Sequence, residues 1–432
     1  MFRIFCFLIL LSSCSINSGG QKALHIESKG VTCDALNYNV DKVVLCGESS
    51  KYVNQNGTAS HKDGFVVFGK IDSDKFDGYT IGNNKDDSRV LKVFNSSNNF
   101  VFSGYGLEGK KAFLAGTDDH MKVQWSWSCD SLEAFEEPAG AQDKLGNIFV
   151  VNKNPAATPY YGYFTLLDKE GIVKWTKKMD QIDVMSDIIA CKSGDFLIHF
   201  KQKGAYIDGG TRKKYFIVPS IRISTEGKIT NQYKFLVDRE KYMDLNIHKV
   251  LESSTGNFYY LGSAWTVFNR TDLLIIKSDQ IGRVIWSYSY QTNAELAIKS
   301  AAFDSKGNVV VAADSYGHSG GMMRGTINTD GDFLWNSFNT TTPYEQIKNF
   351  SIVKDNYYTF YDKTLNFGIM TANLEGKSCM GKTSVLEIKR SNAEVMLSSN
   401  NAVFDSTQVE WKKCELTTKS VGRLDAIIDC GK

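Results

Sequence analysis

A chain of 432 residues can hold two or three domains, or one repeat architecture that outgrows a single core. Its 50 basic and 48 acidic residues nearly cancel, which excludes a global field for nucleic acid or an anionic membrane and leaves any charged partner to a local patch. Hydrophobic residues at 42%, with 36 Gly against 5 Pro, exclude a disordered chain and point to a globular, turn-rich one.

The first feature in chain order is a targeting segment at 1–15. Arg3 supplies a short positive region, Ile4 to Leu11 is an uncharged apolar run, and small residues follow at Ser12, Ser13 and Ser15. The run is too short to span a bilayer, so no transmembrane helix is expected. Two processing routes fit the same residues. Leu11-Ser12-Ser13-Cys14 resembles a bacterial lipobox with Cys14 as the lipidated residue, whereas Ser13 and Ser15 satisfy the small-residue rule for ordinary signal cleavage. Either route exports the chain, to a secreted or extracellular surface location or to a lipid anchor in a bacterial envelope.

Seven cysteines lie beyond the leader: Cys33, Cys46, Cys129, Cys191, Cys379, Cys414 and Cys430. That number is ordinary for a eukaryotic secreted protein and high for a bacterial lipoprotein. Cys33 and Cys46 flank a first hairpin, and Cys379, Cys414 and Cys430 crowd the C-terminal region, so these five are the disulfide candidates. Asn-X-Ser/Thr sequons at Asn56, Asn95, Asn269, Asn339 and Asn349 permit N-glycosylation.

Two signals then alternate along the chain. The first is a turn residue before an apolar strand, at Asp41, Asn99, Asn147, Asp195, Asn257, Asn308 and Asn356, in steps of 58, 48, 48, 62, 51 and 48. Gly146, Gly194, Gly256 and Gly307 precede four of these, as a tight turn entering a strand requires. In the second signal a polar turn residue is followed three places on by Gly and seven places on by a large side chain. Asp168, Gly171 and Trp175 show it fully, as do Asp279, Gly282 and Trp286, and Asn328, Gly331 and Trp335. Asn373, Gly376 and Met380 give a weaker copy. Asp118 with Trp125 and Asp72 with Tyr79 lack the Gly, while Ser224 with Gly227 has Asn231 where the aromatic belongs. Asp or Asn accepts backbone hydrogen bonds within such a turn, Gly supplies a positive φ, and the large residue packs against the next repeat. The turn acids therefore read as architectural, not catalytic. Each repeat holds four strands in about 50 residues, with no helical period between copies, which predicts an all-β fold. The expected architecture is a seven-bladed β-propeller of four-stranded antiparallel blades over 21–390, with 391–432 as a closing or Cys-containing extension.

The turn-residue, Gly and Trp element resembles the tryptophan-docking repeat of the quinoprotein-like (PQQ-like) propeller superfamily, over roughly Asp41 to Met380. That resemblance implies the fold. Seven copies differ from the eight blades usual in the quinone-dependent dehydrogenases of that superfamily, and the adjacent Cys-Cys pair that many of those enzymes carry does not occur, so no cofactor is expected.

In a propeller the loops between strands two and three share one face with the connections between blades. Here the long segments 49–62, 152–161, 201–214 and 314–323 fall there, which places the binding face. Arg212, Lys213 and Lys214 surround Tyr206 in a basic loop suited to an acidic group, and Tyr160, Tyr161, Trp265 and Tyr316 offer aromatic surface for a sugar or peptide. The six histidines include no pair at metal-ligand spacing, so no metal is expected; Asp118-Asp119-His120 sits in a short structural turn. The function expected is that of a noncatalytic, monomeric binding scaffold for a protein or glycan. A quinone-dependent dehydrogenase-like or hydrolytic propeller enzyme, and a lipid-anchored envelope assembly factor, stand as alternatives.

Overall fold

Every repeated apolar stretch forms a strand, and no helix occurs among the described residues. The computed structural model describes residues 23–428 except 27–29, 39–41, 50–62, 71–72, 74, 83–87, 97–98, 107–110, 135–139, 154–159, 203–205, 208–213, 316–320, 340–345, 354–355, 364–365, 373–382, 400–403, 408 and 411. The targeting segment, Cys14, Asn56, Arg212, Lys213, Tyr316, Asn373, Gly376, Cys379, Met380 and Cys430 lie outside the described residues.

Six four-stranded antiparallel blades are each made by one continuous stretch of chain. Blade I comprises Gly30–Tyr38, Lys42–Ser49, Asp63–Lys70 and Lys75–Gly82. Blade II comprises Ser88–Ser96, Asn99–Gly106, Lys111–Thr117 and Val123–Ala134. The 18-residue strand Val173–Ala190 ends blade III and begins blade IV, pairing with Tyr160–Leu167 along its first half and Phe196–Gln202 along its second. Gly140–Gln142 and Ile148–Lys153 complete blade III, and Lys214–Ile223 and Ile229–Asp238 complete blade IV. Blade V runs from Tyr242–Glu252 through Phe258–Thr266 and Thr271–Ser278 to Val284–Thr292. Blade VI runs from Leu296–Phe303 through Val309–Ser315 and Gly321–Ile327 to Phe333–Asn339.

The expectation of seven like blades is corrected to six self-contained blades and a closing sheet. The last repeat supplies only Gln346–Val353, Asn356–Lys363 and Asn366–Ala372. Its open edge is filled by Ala23–Ile26 from the other end of the chain, because an unpaired edge leaves a row of N–H and C=O groups without partners. First strands of successive blades touch in order, and Gly30–Tyr38 touches Gln346–Val353, so the ring closes.

The core is a set of layers between blades. Between blades IV and V, for example, Phe216, Val218 and Phe235 meet Ile247, Val250, Tyr260 and Leu274. A recurrent contact fixes each layer. In the turn at Asp168, Oδ1 accepts the N–H groups of Glu170 and Ile172 at 3.0 and 2.8 Å, and Gly171 takes a φ of +82°. The Trp125 ring of the preceding blade lies so close to this turn that a Cβ on Gly171 would fall 2.3 Å from it. Trp175 in turn donates its indole N–H to the Thr225 carbonyl of blade IV at 2.8 Å, and Trp286 donates to the Thr329 carbonyl of blade VI at 3.0 Å. Trp335 stacks on Tyr357 of the closing sheet with centroids 5.8 Å apart.

Residues 383–428 run backwards around the outside of the ring. Thr383–Ser384 adds to the edge of blade VI, Ile388–Asn392 to blade V, Val395–Ser399 to blade IV, Asp405–Ser406 to blade III, and Lys412–Lys413 to blade II. Thr417–Ile428 then pairs with blade I and, through 426–428, with Ala23–Ile26, so both ends of the chain close the ring. The residue after the docking position holds this belt repeatedly. Asn336 exchanges hydrogen bonds with the Leu386 backbone at 2.7 and 3.1 Å, Ser287 Oγ donates to Ala393 O at 2.6 Å, and Ser126 Oγ donates to Cys414 O at 2.5 Å. Leu386, Ala393, Phe404 and Leu416 of the belt fill gaps in successive interblade layers.

Cys414 carries a free thiol, hydrogen-bonded to Ser126 and Ser128, because the belt brings it to a strand with no cysteine opposite. Cys129 and Cys191 are likewise free and buried, and Cys46 is buried. Cys33 sits at the ladder irregularity between Thr32 and Asp34, on the strand beside Cys46; its side chain is outside the described residues.

The glycine turns separate two effects. Gly307→Ala has open space for its Cβ and bears only the left-handed backbone, φ +81°, at a cost of about 1–2 kcal/mol. Gly282→Ala has a similar φ, but its Cβ would fall 2.5 Å from the Tyr233 ring of blade IV, so urea denaturation is expected to show a larger loss. That excess should shrink when Tyr233→Ala is combined with it, and equal losses at Gly307 and Gly282 would refute the docking account.

Candidate binding face

Antiparallel order puts the tight turns of every blade on one face and the loops between strands two and three on the other. At the loop face, a residue five places after the start of the second strand's apolar run latches onto the next blade. Glu48 pairs with Arg89 at 3.8 Å, Lys201 pairs with Asp244, Ser263 Oγ accepts Ile298 N–H at 3.1 Å, and the Asp314 carboxylate accepts Ile347 N–H at 3.0 Å. These latches commit several of the charged groups on this face to holding blades together.

One hairpin stands apart. Between Phe258–Thr266 and Thr271–Ser278, Thr266 is buried and its N–H donates to Arg270 O at 2.8 Å, while Asn269 takes a φ of +59° and its N–H donates to Thr266 O at 3.0 Å. This tight turn pushes its apolar residues outward: Trp265 is 45% exposed and Phe268 75%, with Val267 and Met243 also open. Val267 N–H donates to Lys241 O at 3.2 Å, and Arg239 N–H donates to Lys214 O at 2.9 Å. Two backbone bonds thus tie together the end of the basic loop of blade IV, the IV–V connection and the aromatic hairpin of blade V. Arg239 lies 4.7 Å from the Phe216 ring and Lys241 Nζ 5.4 Å from that of Tyr242, so both cations stand on aromatic supports.

Of the residues expected from sequence, Lys214 and Trp265 come together on this patch. Tyr161 is on blade III with the Lys178 ammonium 3.7 Å from its ring centre, which occupies that face of the ring. Tyr160 and Tyr206 lie on strands reaching the loop face, their side chains outside the described residues. Sequence reasoning missed Arg239, Lys241, Met243, Val267 and Phe268. The available signal was Val267-Phe268 between Thr266 and Asn269, an apolar pair inside a turn. Asp168, Asp279 and Asn328 are held in turns as expected, each side-chain oxygen accepting two backbone N–H groups at 2.8–3.0 Å. Asp118 is used in the same way. No group of three metal-ligating side chains occurs among the described residues. On the opposite face, blade I has a cleft of about 330 Å³ bordered by Lys42, Phe68, Lys70, Lys75 and Asp77.

No protein-family model and no curated protein matches the sequence. Solved structures similar in shape include a protein of unknown function from Dyadobacter fermentans DSM 18053, with 10% identity, TM-score 0.43, and coverage of 82% of this chain and 98% of that one. Sqt1 from Chaetomium thermophilum has 8% identity and TM-score 0.44 over 82% and 98% of the two chains. A hypothetical protein from Leishmania major has 11% identity and TM-score 0.30 over 56% and 86%. At these values the likeness carries no argument about function.

Beneath the patch, between blades IV and V, lies a buried polar chain. His199 Nδ1 and Ser220 Oγ are 2.8 Å apart, the His199 and Tyr260 ring centroids 4.8 Å apart, and the Tyr233 and Tyr260 hydroxyls 2.5 Å apart. Burial pushes His199 down to about 3 and, with help from Lys299, His248 down to about 4. Both are neutral in the fold and take up a proton near pH 6.5 once unfolded, so stability is full above that pH and falls as pH drops through 6.5 toward 4. Unfolding at pH 5 should therefore take up about one proton fewer in His199→Gln than in the wild type, read as a shallower slope of stability against pH. An unchanged slope would overturn this assignment.

Proposed function

We propose that the chain is exported and works as a noncatalytic binding scaffold, holding a protein or glycan on its loop face. The observation that carries this is the patch in which Trp265 and Met243 stand exposed beside Arg239, Lys241 and Lys214. Rigid aromatic surface gives contact area at little entropic cost, and nearby cations set register and attract an acidic partner. The backbone under the patch is anchored in two blades, so little conformational freedom is lost on binding. Export is supported by the leader at 1–15. The closing sheet serves as the seventh position of the ring, and the docking geometry supports membership of the quinoprotein-like superfamily.

Binding to arrays of glycans and cell-surface proteins tests the reading. A ligand retained by the wild type should lose at least about tenfold in affinity with Trp265→Ala, and Lys241→Glu should slow its association. A ligand bound equally well by both variants would place the site elsewhere, and turnover of a substrate with no retained ligand would favour an enzyme.

A further inference from the structure

Trp265, Val267 and Phe268 are exposed together on one hairpin, and contiguous exposed apolar surface marks a place that something covers. At Phe268 the Arg270 guanidinium stands 5.8 Å from the ring centre, and the side chain as a whole is 75% exposed. The next residue begins a sequon, Asn269-Arg270-Thr271. We propose that Asn269 carries an N-linked glycan whose first sugar packs on Phe268, an inference that rests on the export reading above.

Two observations and one general property of sugars support it. Asn269 is exposed at the turn, with φ +59°, a region that Asn tolerates better than most residues. Thr271, the sequon hydroxyl, pairs in register with Trp265, so the acceptor stands within an aromatic hairpin. A pyranose presents C–H groups on one face, and an exposed ring beside the attachment point covers them as it would any apolar surface. Asn339 gives the contrast: it begins a sequon too, yet it is 0% exposed and accepts a hydrogen bond from the buried Arg324, so a sugar there would break packing within blade VI. Asn56 is outside the described residues, as are the side chains of Asn95 and Asn349.

The chemistry needs a donor met during export, an oligosaccharide on a polyprenyl diphosphate, and its membrane transferase. The Asn269 amide nitrogen forms a bond to the anomeric carbon, that carbon's bond to the diphosphate oxygen breaks, and the lipid diphosphate and an amide proton leave. Standing at the edge of the proposed ligand face, the glycan covers the hairpin tip and leaves the cationic strip of Lys214, Arg239 and Lys241 open.

The test is secretion of the full chain with its own leader from an animal-cell host, followed by glycopeptide mass spectrometry. Asn269 is expected to be occupied and Asn339 bare, and both Asn269→Gln and Thr271→Ala should lose one glycan's mass. Enzymatic removal of the glycan should lower the melting temperature of the wild type and leave that of Phe268→Ala unchanged. Secreted protein with unmodified Asn269, or equal melting shifts in wild type and Phe268→Ala, overturns the inference and leaves export standing. Retention in the cytosol overturns export, and this inference with it.

Discussion

The ring depends on a contact between two things that neither blade can supply alone: a glycine in left-handed conformation and a flat side chain from the blade before it. An L-residue with a Cβ is disfavoured at the turn by its backbone and excluded by the ring, as the 2.3 Å approach of Trp125 to a Cβ on Gly171 indicates. A ring covers the turn, and an indole of the same strand closes the contact with a hydrogen bond to a turn carbonyl, from Trp127, Trp175 and Trp286. Such a bond contributes about 1 kcal/mol, but its geometry fixes the angle between successive blades. Repeated around the ring, a local turn preference becomes a global closure condition.

The strand-turn period and the turn acids were legible in the sequence because both are local. The eroded copies were legible only as defects, and the structure shows what replaces the missing parts. Where blade IV has Asn231 in place of Trp, the Asn231 amide donates to the Gln280 carbonyl at 3.2 Å, one residue after the polar turn residue, the place to which Trp175 and Trp286 also donate. Tyr233, two residues on, covers Gly282 with its ring. In blade II the two tasks are divided again: Trp125 covers Gly171, and Trp127 donates its indole N–H to Gly171 O at 3.0 Å. Met121 takes the glycine place of its turn at a φ of +63°, buried beside Thr117. A scan for one residue at one spacing cannot see a task shared between two residues of the same strand.

The belt was not legible, for a different reason. Its strands run from two to five residues before the last one, too short to show a period. Its partners are far away in the chain, with Cys414 meeting Ser126 across 288 positions. It is held by side chains that bond its backbone, so its sequence needs only one apolar plug per blade and is otherwise free to be polar. The last repeat likewise reads as another blade until the strand that completes it is found at Ala23–Ile26. Closure by chain ends is a property of the ring, and no single repeat carries it.

These constraints divide the surface. The glycine turns lie on one face, the docking rings lie between blades, the latches tie second strands to the next blade, and the belt seals the rim. The Asp168 and Asp279 carboxylates are engaged by backbone N–H groups, as their reading as turn residues implies, and Lys201 of the basic segment is paired with Asp244. What the scaffold leaves uncommitted is the outer part of the loop face, where a residue can change without disturbing an interblade layer. The 265–271 hairpin is the case in which that freedom shows most plainly, since Thr266 and Asp272 are buried to hold it while Val267, Phe268 and Asn269 between them face solvent. The proposed ligand surface and the proposed glycan share this hairpin, so a sugar on Asn269 beside a ligand on Trp265 would make each sensitive to the other.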